Sequence, residues 1–221
     1  MRAQHHACMT ATSVSPANHA TAYPGDGDVH VWHFAYQREH GHAPLLALLA
    51  RYLGGMPADF QFVVGAHGRP QLDPALGSQL DFNWSHSGGR AAVAVARHVA
   101  PGIDLERLRE RHNALPLARR FFHPQEVAAL AAQPSAARSA AFLELWTAKE
   151  AVLKATGRGI AFGLQRLHVV SGGALRLVWI DGDDAASWQL QSLTLDPQYV
   201  AALAWRGGAR QVHVRSLASS P

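Results

Sequence analysis

Hydrophobic positions in the first hundred residues follow two different periods. Residues 28–36 alternate between apolar and polar side chains, which is typical of a strand with one buried face. Residues 44–54 carry apolar side chains at helical spacing, with a proline at the start and glycines at the end. Further strands are predicted over 60–64, 82–87 and 91–96, and the last of these is a continuous apolar run. This part of the chain therefore predicts one helix among several strands.

The second half has longer helical patterns, followed by strands. Helices are predicted over 116–122, 124–132 and 139–156, and Gly157 closes the last one. Strands are predicted at 103–106, 167–170, 175–180, 188–195, 200–205 and 212–214. The acidic run 181–184 is predicted to be a hairpin turn. Together the patterns predict an α+β fold with two halves of similar size, an N-terminal subdomain over 28–100 and a C-terminal subdomain over 101–221.

Length and composition limit the size of the core and the cellular compartment. With 221 residues, 48% of them hydrophobic, the chain can bury one good-sized core or two small ones. Residues 1–27 are rich in Ala, Thr, Ser, Pro and Asn, lack the pattern of a signal peptide, and are predicted to be a disordered leader. The single cysteine, Cys8, excludes a disulfide framework, and no apolar run is long enough to cross a bilayer. We expect a soluble, cytoplasmic monomer.

Charge adds a sharper observation. The net charge of +4 suits an anionic partner without identifying it. Of the 20 basic residues 18 are arginine, and the only two lysines are Lys149 and Lys154. A lysine presents a compact ammonium that can approach a phosphate and can give up a proton, which arginine practically cannot. This usage indicates a site that needs ammonium groups, although coincidence also explains it.

Three carboxylates have the spacing of a cation site. Asp104 and Glu106 lie two apart on a predicted strand and so share one face, where they repel each other unless a cation lies between them. On the predicted helix Glu150 lies one turn from Lys154. Oxygen ligands favour a hard cation such as Mg²⁺. Three alternatives remain open: a solvated strand end, pairing of the strand carboxylates with Arg107 and Arg109, and an ordinary surface ion pair between Glu150 and Lys154.

The segment 83–89, Asn-Trp-Ser-His-Ser-Gly-Gly, joins two predicted strands. Its small hydroxyls, imidazole and glycines suit a phosphate, although a plain serine-rich turn explains them as well. The sequence has no Gly-x-Ser-x-Gly elbow, no Gly-x-Gly-x-x-Gly and no Walker loop. A serine hydrolase and the common nucleotide-binding loops are therefore disfavoured.

These segments follow one another in a recognisable order. They are Gly68-Arg69-Pro70, Phe82-Asn83-Trp84-Ser85-His86-Ser87-Gly88, Gly102-Ile103-Asp104-Leu105-Glu106, Phe121-Phe122-His123-Pro124-Gln125-Glu126, and Trp146-Thr147-Ala148-Lys149-Glu150 with Lys154 and Gly157-Arg158-Gly159. The combination resembles the 4′-phosphopantetheinyl transferases of the surfactin-synthetase (Sfp) type over about residues 30–205. The resemblance implies two similar α+β subdomains related by a pseudo-twofold axis, with the active site between them. It also implies transfer of the 4′-phosphopantetheine arm of coenzyme A to a serine of an acyl or peptidyl carrier protein, with release of adenosine 3′,5′-bisphosphate.

The resemblance further implies roles for individual residues. Asp104, Glu106 and Glu150 would hold Mg²⁺ or Mn²⁺ against the pyrophosphate of coenzyme A. Arg69, Ser85 and His86 would contact its phosphates. Lys149 and Lys154 would face the pyrophosphate, and both lysines would act in catalysis together with Glu150.

Two departures and one alternative qualify this picture. Leu46 and Ala47 stand where the family often carries arginine on the first helix, and residues 38–42 contain histidines where stronger bases are common. The alternative is a nucleotide or nucleic-acid binding module without transferase activity. Such a module needs no carboxylate triad, and the chain has few aromatic residues placed to stack on bases. We therefore expect no nucleic-acid partner and no membrane partner.

Overall fold

The computed structural model describes residues 22–65 and 67–217. Cys8 and most of the predicted leader, up to residue 21, lie outside the described residues. No helix within the described ranges is both long and apolar enough to span a bilayer.

The first half of the chain builds a sheet around one helix. Its elements are β1 (Asp28–Ala35), α1 (Ala43–Leu53), β2 (Phe62–Val64), β3 (Pro70–Leu72), β4 (Leu80–Ser87) and β5 (Arg90–Arg97). β5 lies between β1 and β4 and is antiparallel to both, while β2 and β3 pair as a separate hairpin. The predicted helix and strands of this half are therefore present, with small shifts of their ends.

The described part of the second half contains three α-helices and six strands. Its elements are β6 (Gly102–Arg107), α2 (Ala114–Phe121), α3 (Pro124–Ala132), α4 (Ser135–Thr156), β7 (Leu167–Val170), β8 (Arg176–Ile180), β9 (Trp188–Leu193), β10 (Tyr199–Arg206) and β11 (Gln211–Ser216). β10 lies between β6 and β9, and β7 pairs with β8 as a hairpin. The chain is thus α+β, as the sequence predicted.

The two halves repeat one connectivity. In each, the first strand pairs antiparallel with the fifth, helical structure and a small hairpin lie between them in sequence, and the fourth strand flanks the fifth. β11 departs from this repeat because it pairs in parallel with β1. The division near residue 100 stays a proposal, since β11 belongs to the second half by sequence and to the first sheet by hydrogen bonding.

The apolar run of β5 has a structural reason. Its odd-numbered side chains, such as Val93, pack with α1, and its even-numbered ones, such as Ala94, pack against Ile103 and Leu203 of the second sheet. A strand that is buried on both faces has no polar face, so its sequence is a continuous apolar run and does not alternate between apolar and polar residues. The apolar layer between the sheets holds the two halves together.

The acidic turn at 181–184 does not close a hairpin, so that prediction was wrong. β8 pairs with β7 and β9 pairs with β10, so the turn connects two different sheets. Asp183 accepts hydrogen bonds from the indole Nε1 of Trp188 and from Arg206, and Asp184 caps the helical turn that follows. These side-chain contacts turn the chain away from β8.

Candidate active site

The site begins with a close approach of β6 to α4. A Cβ atom on Gly102 would lie 2.0 Å from the carbonyl oxygen of Ala151 and 2.4 Å from the backbone nitrogen of Ala155. Any larger residue would force the strand off the helix, because contacts this short do not occur between non-bonded atoms. The glycine thereby brings Asp104, two residues further along β6, next to the last turns of α4.

Asp104 is the centre of a buried polar cluster. Its side chain is almost inaccessible, and its Oδ1 accepts hydrogen bonds from Ser85 Oγ at 2.8 Å and from Lys154 Nζ at 2.7 Å. The same ammonium donates to the carbonyl oxygen of Ile103 at 3.0 Å. Asp104 Oδ2 is buried and has no hydrogen-bond partner among the described residues. One carboxylate oxygen is therefore satisfied and the other is left open.

Glu150 is a second carboxylate with an unused oxygen. Only 7% of the residue is exposed, and its Oε1 is buried without a hydrogen-bond partner in the described part of the chain. Burial raises the pKa of Glu150 to about 7, and the charges of Asp104 and, less strongly, Glu106 add to the rise, while Lys154 opposes it. The carboxyl therefore exchanges its proton near neutral pH.

Three alternate residues of β4 hold β6 in place. Asn83 Oδ1 accepts a hydrogen bond from the backbone nitrogen of Ile103 at 3.0 Å, and Ser87 Oγ donates to Glu106 Oε2 at 2.9 Å. Ser85 binds Asp104 between them. Since alternate residues of a strand share one face, the spacing of Asn83, Ser85 and Ser87 matches that of β6. The cluster thus lies where β4 of the first half meets β6 of the second.

A cleft of about 900 Å³ opens beside Glu106. Its lining includes Tyr36, Arg38, His86, Arg107 and Arg109. The three guanidinium groups favour an anionic occupant, because they carry permanent charge and donate in a planar fork. Sequence analysis considered Arg107 and Arg109 only as ion-pair partners of the strand carboxylates, because arginine is common throughout the chain.

His86 lies against the rings of Tyr36 and Trp84, with centroid distances of 4.9 and 5.2 Å. Burial lowers the pKa of His86, and the positive charges of Arg38 and Lys154 lower it further. The imidazole is therefore favoured in its neutral form, in which one ring nitrogen donates and the other accepts. The structure places Ser85 in the cluster and His86 in the cleft lining.

The prediction for Lys149 was wrong. Its side chain is fully buried, and its Nζ lies 2.7 Å from Glu126 Oε1 and 2.6 Å from the carbonyl oxygen of Leu167. Successive residues of an α-helix point about 100° apart, so Lys149 cannot face the cleft when its neighbour Glu150 does. The rarity of lysine indicated one site for both residues, but Lys149 and Lys154 lie on different faces of α4.

The role predicted for Arg69 also needs correction. Its guanidinium donates to the carbonyl oxygens of Lys154, Phe82 and Pro101, at 2.6, 2.9 and 3.1 Å. It forms an ion pair with Asp81 at 2.7 Å. Because these partners occupy both terminal nitrogens, Arg69 supports the backbone beneath the cluster instead of facing a phosphate.

The three predicted metal ligands lie close enough to affect one another, but they are not arranged around a common ion position. Within residues 22–65 and 67–217, no group of three or more His, Cys, Asp and Glu side chains has such an arrangement. Lys154 donates a hydrogen bond to one oxygen of Asp104, and Ser87 donates one to an oxygen of Glu106. The donor chemistry nevertheless fits a hard cation, because the open oxygens of Asp104 and Glu150 are buried carboxylate oxygens without partners.

Comparison with known proteins places the chain in a family. The sequence profile of the 4′-phosphopantetheinyl transferase superfamily matches residues 100–204. The 4′-phosphopantetheinyl transferase HetI of Nostoc sp. is 38% identical over 168 residues, which cover 76% of this chain and 69% of that protein. Sfp of Bacillus subtilis is 28% identical over 178 residues, covering 76% of this chain and 75% of that protein. The chain therefore belongs to the 4′-phosphopantetheinyl transferase superfamily, as its motifs indicated.

A third relative matches a shorter stretch. The 4′-phosphopantetheinyl transferase psf-1 of Bacillus pumilus is 39% identical over 141 residues, covering 62% of this chain and 57% of that protein. The profile match at 100–204 includes Asp104, Glu106, Glu150 and Lys154, so the charged residues of the cluster lie in the matched region.

Proposed function

We propose that this protein transfers the 4′-phosphopantetheine arm of coenzyme A to a serine of an acyl or peptidyl carrier protein and releases adenosine 3′,5′-bisphosphate. The observation that carries the proposal is the pair of open, buried carboxylate oxygens on Asp104 and Glu150 beside the ammonium of Lys154. An arginine-lined cleft of about 900 Å³ adjoins them and offers room for a bulky anionic substrate.

In the proposed reaction the carrier serine attacks the β-phosphorus of coenzyme A. A bond forms from the serine oxygen to phosphorus, and the bond from phosphorus to the bridging oxygen of adenosine 3′,5′-bisphosphate breaks. Glu150 is suited to take the serine proton, because it is a carboxylate beside Asp104 and Lys154 whose Oε1 has no hydrogen-bond partner among the described residues. Lys154 is placed to neutralise the charge that develops on the leaving phosphate.

The remaining residues bind and orient. Ser85 holds Asp104 in one orientation, and Ser87 does the same for Glu106. Arg38, Arg107 and Arg109 are positioned to attract the phosphates of coenzyme A, with His86 as an additional donor. Positioning of this kind supplies much of the rate in phosphoryl transfer, since the loose transition state asks for little covalent chemistry from the protein.

Asp104, Glu106 and Glu150 are the residues that would hold Mg²⁺ or Mn²⁺. When bound there, the ion would neutralise charge on the pyrophosphate oxygens of the substrate. Lys154 donates to Oδ1 of Asp104, so Oδ2 is the oxygen of that residue that would be left for the ion. We further propose that the protein acts as a monomer in the cytoplasm.

Intact-mass spectrometry of a carrier domain incubated with the protein, coenzyme A and Mg²⁺ tests the proposal. We expect a single phosphopantetheinyl adduct on serine, and we expect none when EDTA replaces Mg²⁺. A panel of acyl and peptidyl carriers then identifies the preferred acceptor. Lack of an adduct with every carrier, together with tight binding of nucleotide or nucleic acid, would overturn the proposal in favour of a binding module.

A further inference from the structure

A buried ion pair lies on the face of α4 that points away from the cleft. Lys149 and Glu126 have side-chain exposures of 0% and 1%, and their charged atoms are 2.7 Å apart. The Lys149 ammonium also lies 5.3 Å from the ring centroid of Phe122. The pair is therefore remote from solvent, and the reaction proposed above does not use it.

The pair joins three separate elements of the second half. Glu126 Oε1 accepts a hydrogen bond from the backbone nitrogen of Val169 on β7 at 2.7 Å, and its Oε2 accepts one from His123 at the start of α3 at 2.9 Å. Lys149, in the middle of α4, donates to the carbonyl oxygen of Leu167 on β7 at 2.6 Å. Each contact has a fixed direction, so together they define how α4 is turned relative to α3 and β7.

Stability alone does not explain the pair. Taking two charges out of water costs about as much as their attraction returns, and well-packed apolar side chains of similar volume often do as well or better. Apolar packing is not directional, however. A helix whose neighbouring positions are small, as Ala148, Ala151 and Ala155 are here, needs directional contacts to fix its rotation.

The contacts on the opposite side of α4 require the helix to keep one orientation about its axis. Gly102 of β6 packs directly on the backbone of Ala151 and Ala155, and Glu150 and Lys154 approach Asp104 from the same side. A rotation of α4 by about 10° moves a side-chain atom at a radius of about 6 Å by about 1 Å. A displacement of that size at reacting groups is enough to lower a rate on the order of 100-fold.

We propose that the Glu126–Lys149 ion pair positions Glu150 and Lys154 for catalysis by fixing the rotation of α4, an inference that rests on the transferase function proposed above. Glu126 and Lys149 are positioning residues in this scheme and touch no substrate. The pair acts through the rigid helix, whose far face carries the acid–base group.

The double variant Glu126→Gln/Lys149→Met tests the inference, because it removes both charges and leaves neither one buried without its partner. Steady-state transfer is measured well below the melting temperature of each protein. We expect kcat to fall on the order of 100-fold. KM for coenzyme A should stay within about threefold, because the arginines that line the cleft, Arg38, Arg107 and Arg109, are not on α4.

Leu143→Ala is the matched control. Leu143 is fully buried on the same helix and takes no part in the ion pair, so the substitution should lower the melting temperature by several degrees and leave kcat close to that of the parent. A double variant that folds and keeps kcat within about threefold of the parent would overturn the inference. So would an equal loss of kcat in Leu143→Ala, which would reduce the pair to a contribution to stability.

Lys149→Arg covers the case in which the double variant does not fold. It keeps a cation against Glu126 but changes its reach, so we expect kcat to fall about tenfold with KM for coenzyme A unchanged. An unchanged kcat in this variant contradicts the inference. Failure of the parent protein to modify any carrier instead refutes the proposed function, so the two failures are told apart by the parent's own activity.

Discussion

The two faces of α4 carry similar groups in different states. On one face Lys149 and Glu126 are buried together, and hydrogen bonds account for both oxygens of the carboxylate. On the other face Lys154 holds Asp104 through one oxygen, while the second oxygen of Asp104 and Oε1 of Glu150 have no partner among the described residues. A buried ion pair whose oxygens all have hydrogen-bond partners holds its elements in place, whereas a buried carboxylate oxygen without a partner is free to bind a ligand. Residue type alone does not distinguish the two.

The largest expected effect comes from Glu150→Gln, which removes the ionisable group and keeps the shape of the side chain. We expect carrier modification to slow by about 10²- to 10⁴-fold, the contribution typical of general acid–base catalysis. The melting temperature should stay the same or rise, because an amide costs less to bury than a carboxylate. Transfer assays and thermal unfolding measure the two quantities, and a variant with near-parental kcat contradicts the role given to Glu150.

A smaller effect concerns stability and pH in metal-free protein. The unfolded state loses the Glu150 proton near the ordinary pKa of 4.5, whereas the folded state keeps it until about 7. Stability from this group is therefore full below pH 4.5 and falls as pH rises to 7, by about 3 kcal/mol at 1.36 kcal/mol per pKa unit. Denaturant unfolding of parent and Glu150→Gln in EDTA measures it. If the difference between their free energies of unfolding does not change between pH 4.5 and 7, the raised pKa is disproved.

The smallest effect on stability is expected for Lys154→Met. This change leaves Asp104 without its ammonium partner, and we expect a loss of about 1–2 kcal/mol, below the cost at a fully buried pair because a quarter of the Lys154 side chain is exposed. Mn²⁺ should restore the lost stability, because the cation then replaces the missing positive charge beside Asp104. Thermal unfolding with and without Mn²⁺ measures this. If Mn²⁺ raises the melting temperature of the variant no more than that of the parent, the result argues against a cation site at Asp104.

Much of the fold follows from local patterns. β7 and α3 begin and end at the predicted residues, and the run that became β5 was identifiable because a strand buried on both faces leaves a continuous apolar stretch. Period-2 spacing also placed Asp104 and Glu106 on one face, whereas Ser85 was chosen as part of a phosphate-binding turn and in the structure donates to Asp104. The β8–β9 connection was misread because pairing between strands of different sheets leaves no local signal.

The two corrected site residues share one cause. Lys149 binds Glu126, 23 positions earlier, and Arg69 binds carbonyl groups from three distant segments. Long side chains choose partners across the folded molecule, so spacing along the chain shows that a charge is unusual without showing where it points. Ser87 was the opposite case: its alternation with Asn83 and Ser85 predicted a shared face that sequence analysis did not use.

The parallel pairing of β1 with β11 has a consequence for folding during synthesis. Asp28 and His213, which are 185 positions apart, meet across this pair. Among the described strands β1 is synthesised first, so its edge stays open until residues 211–216 have been made, and closing so long a loop is slow. A chain that stops before residue 211 would expose that edge to a second copy, so premature termination favours self-association.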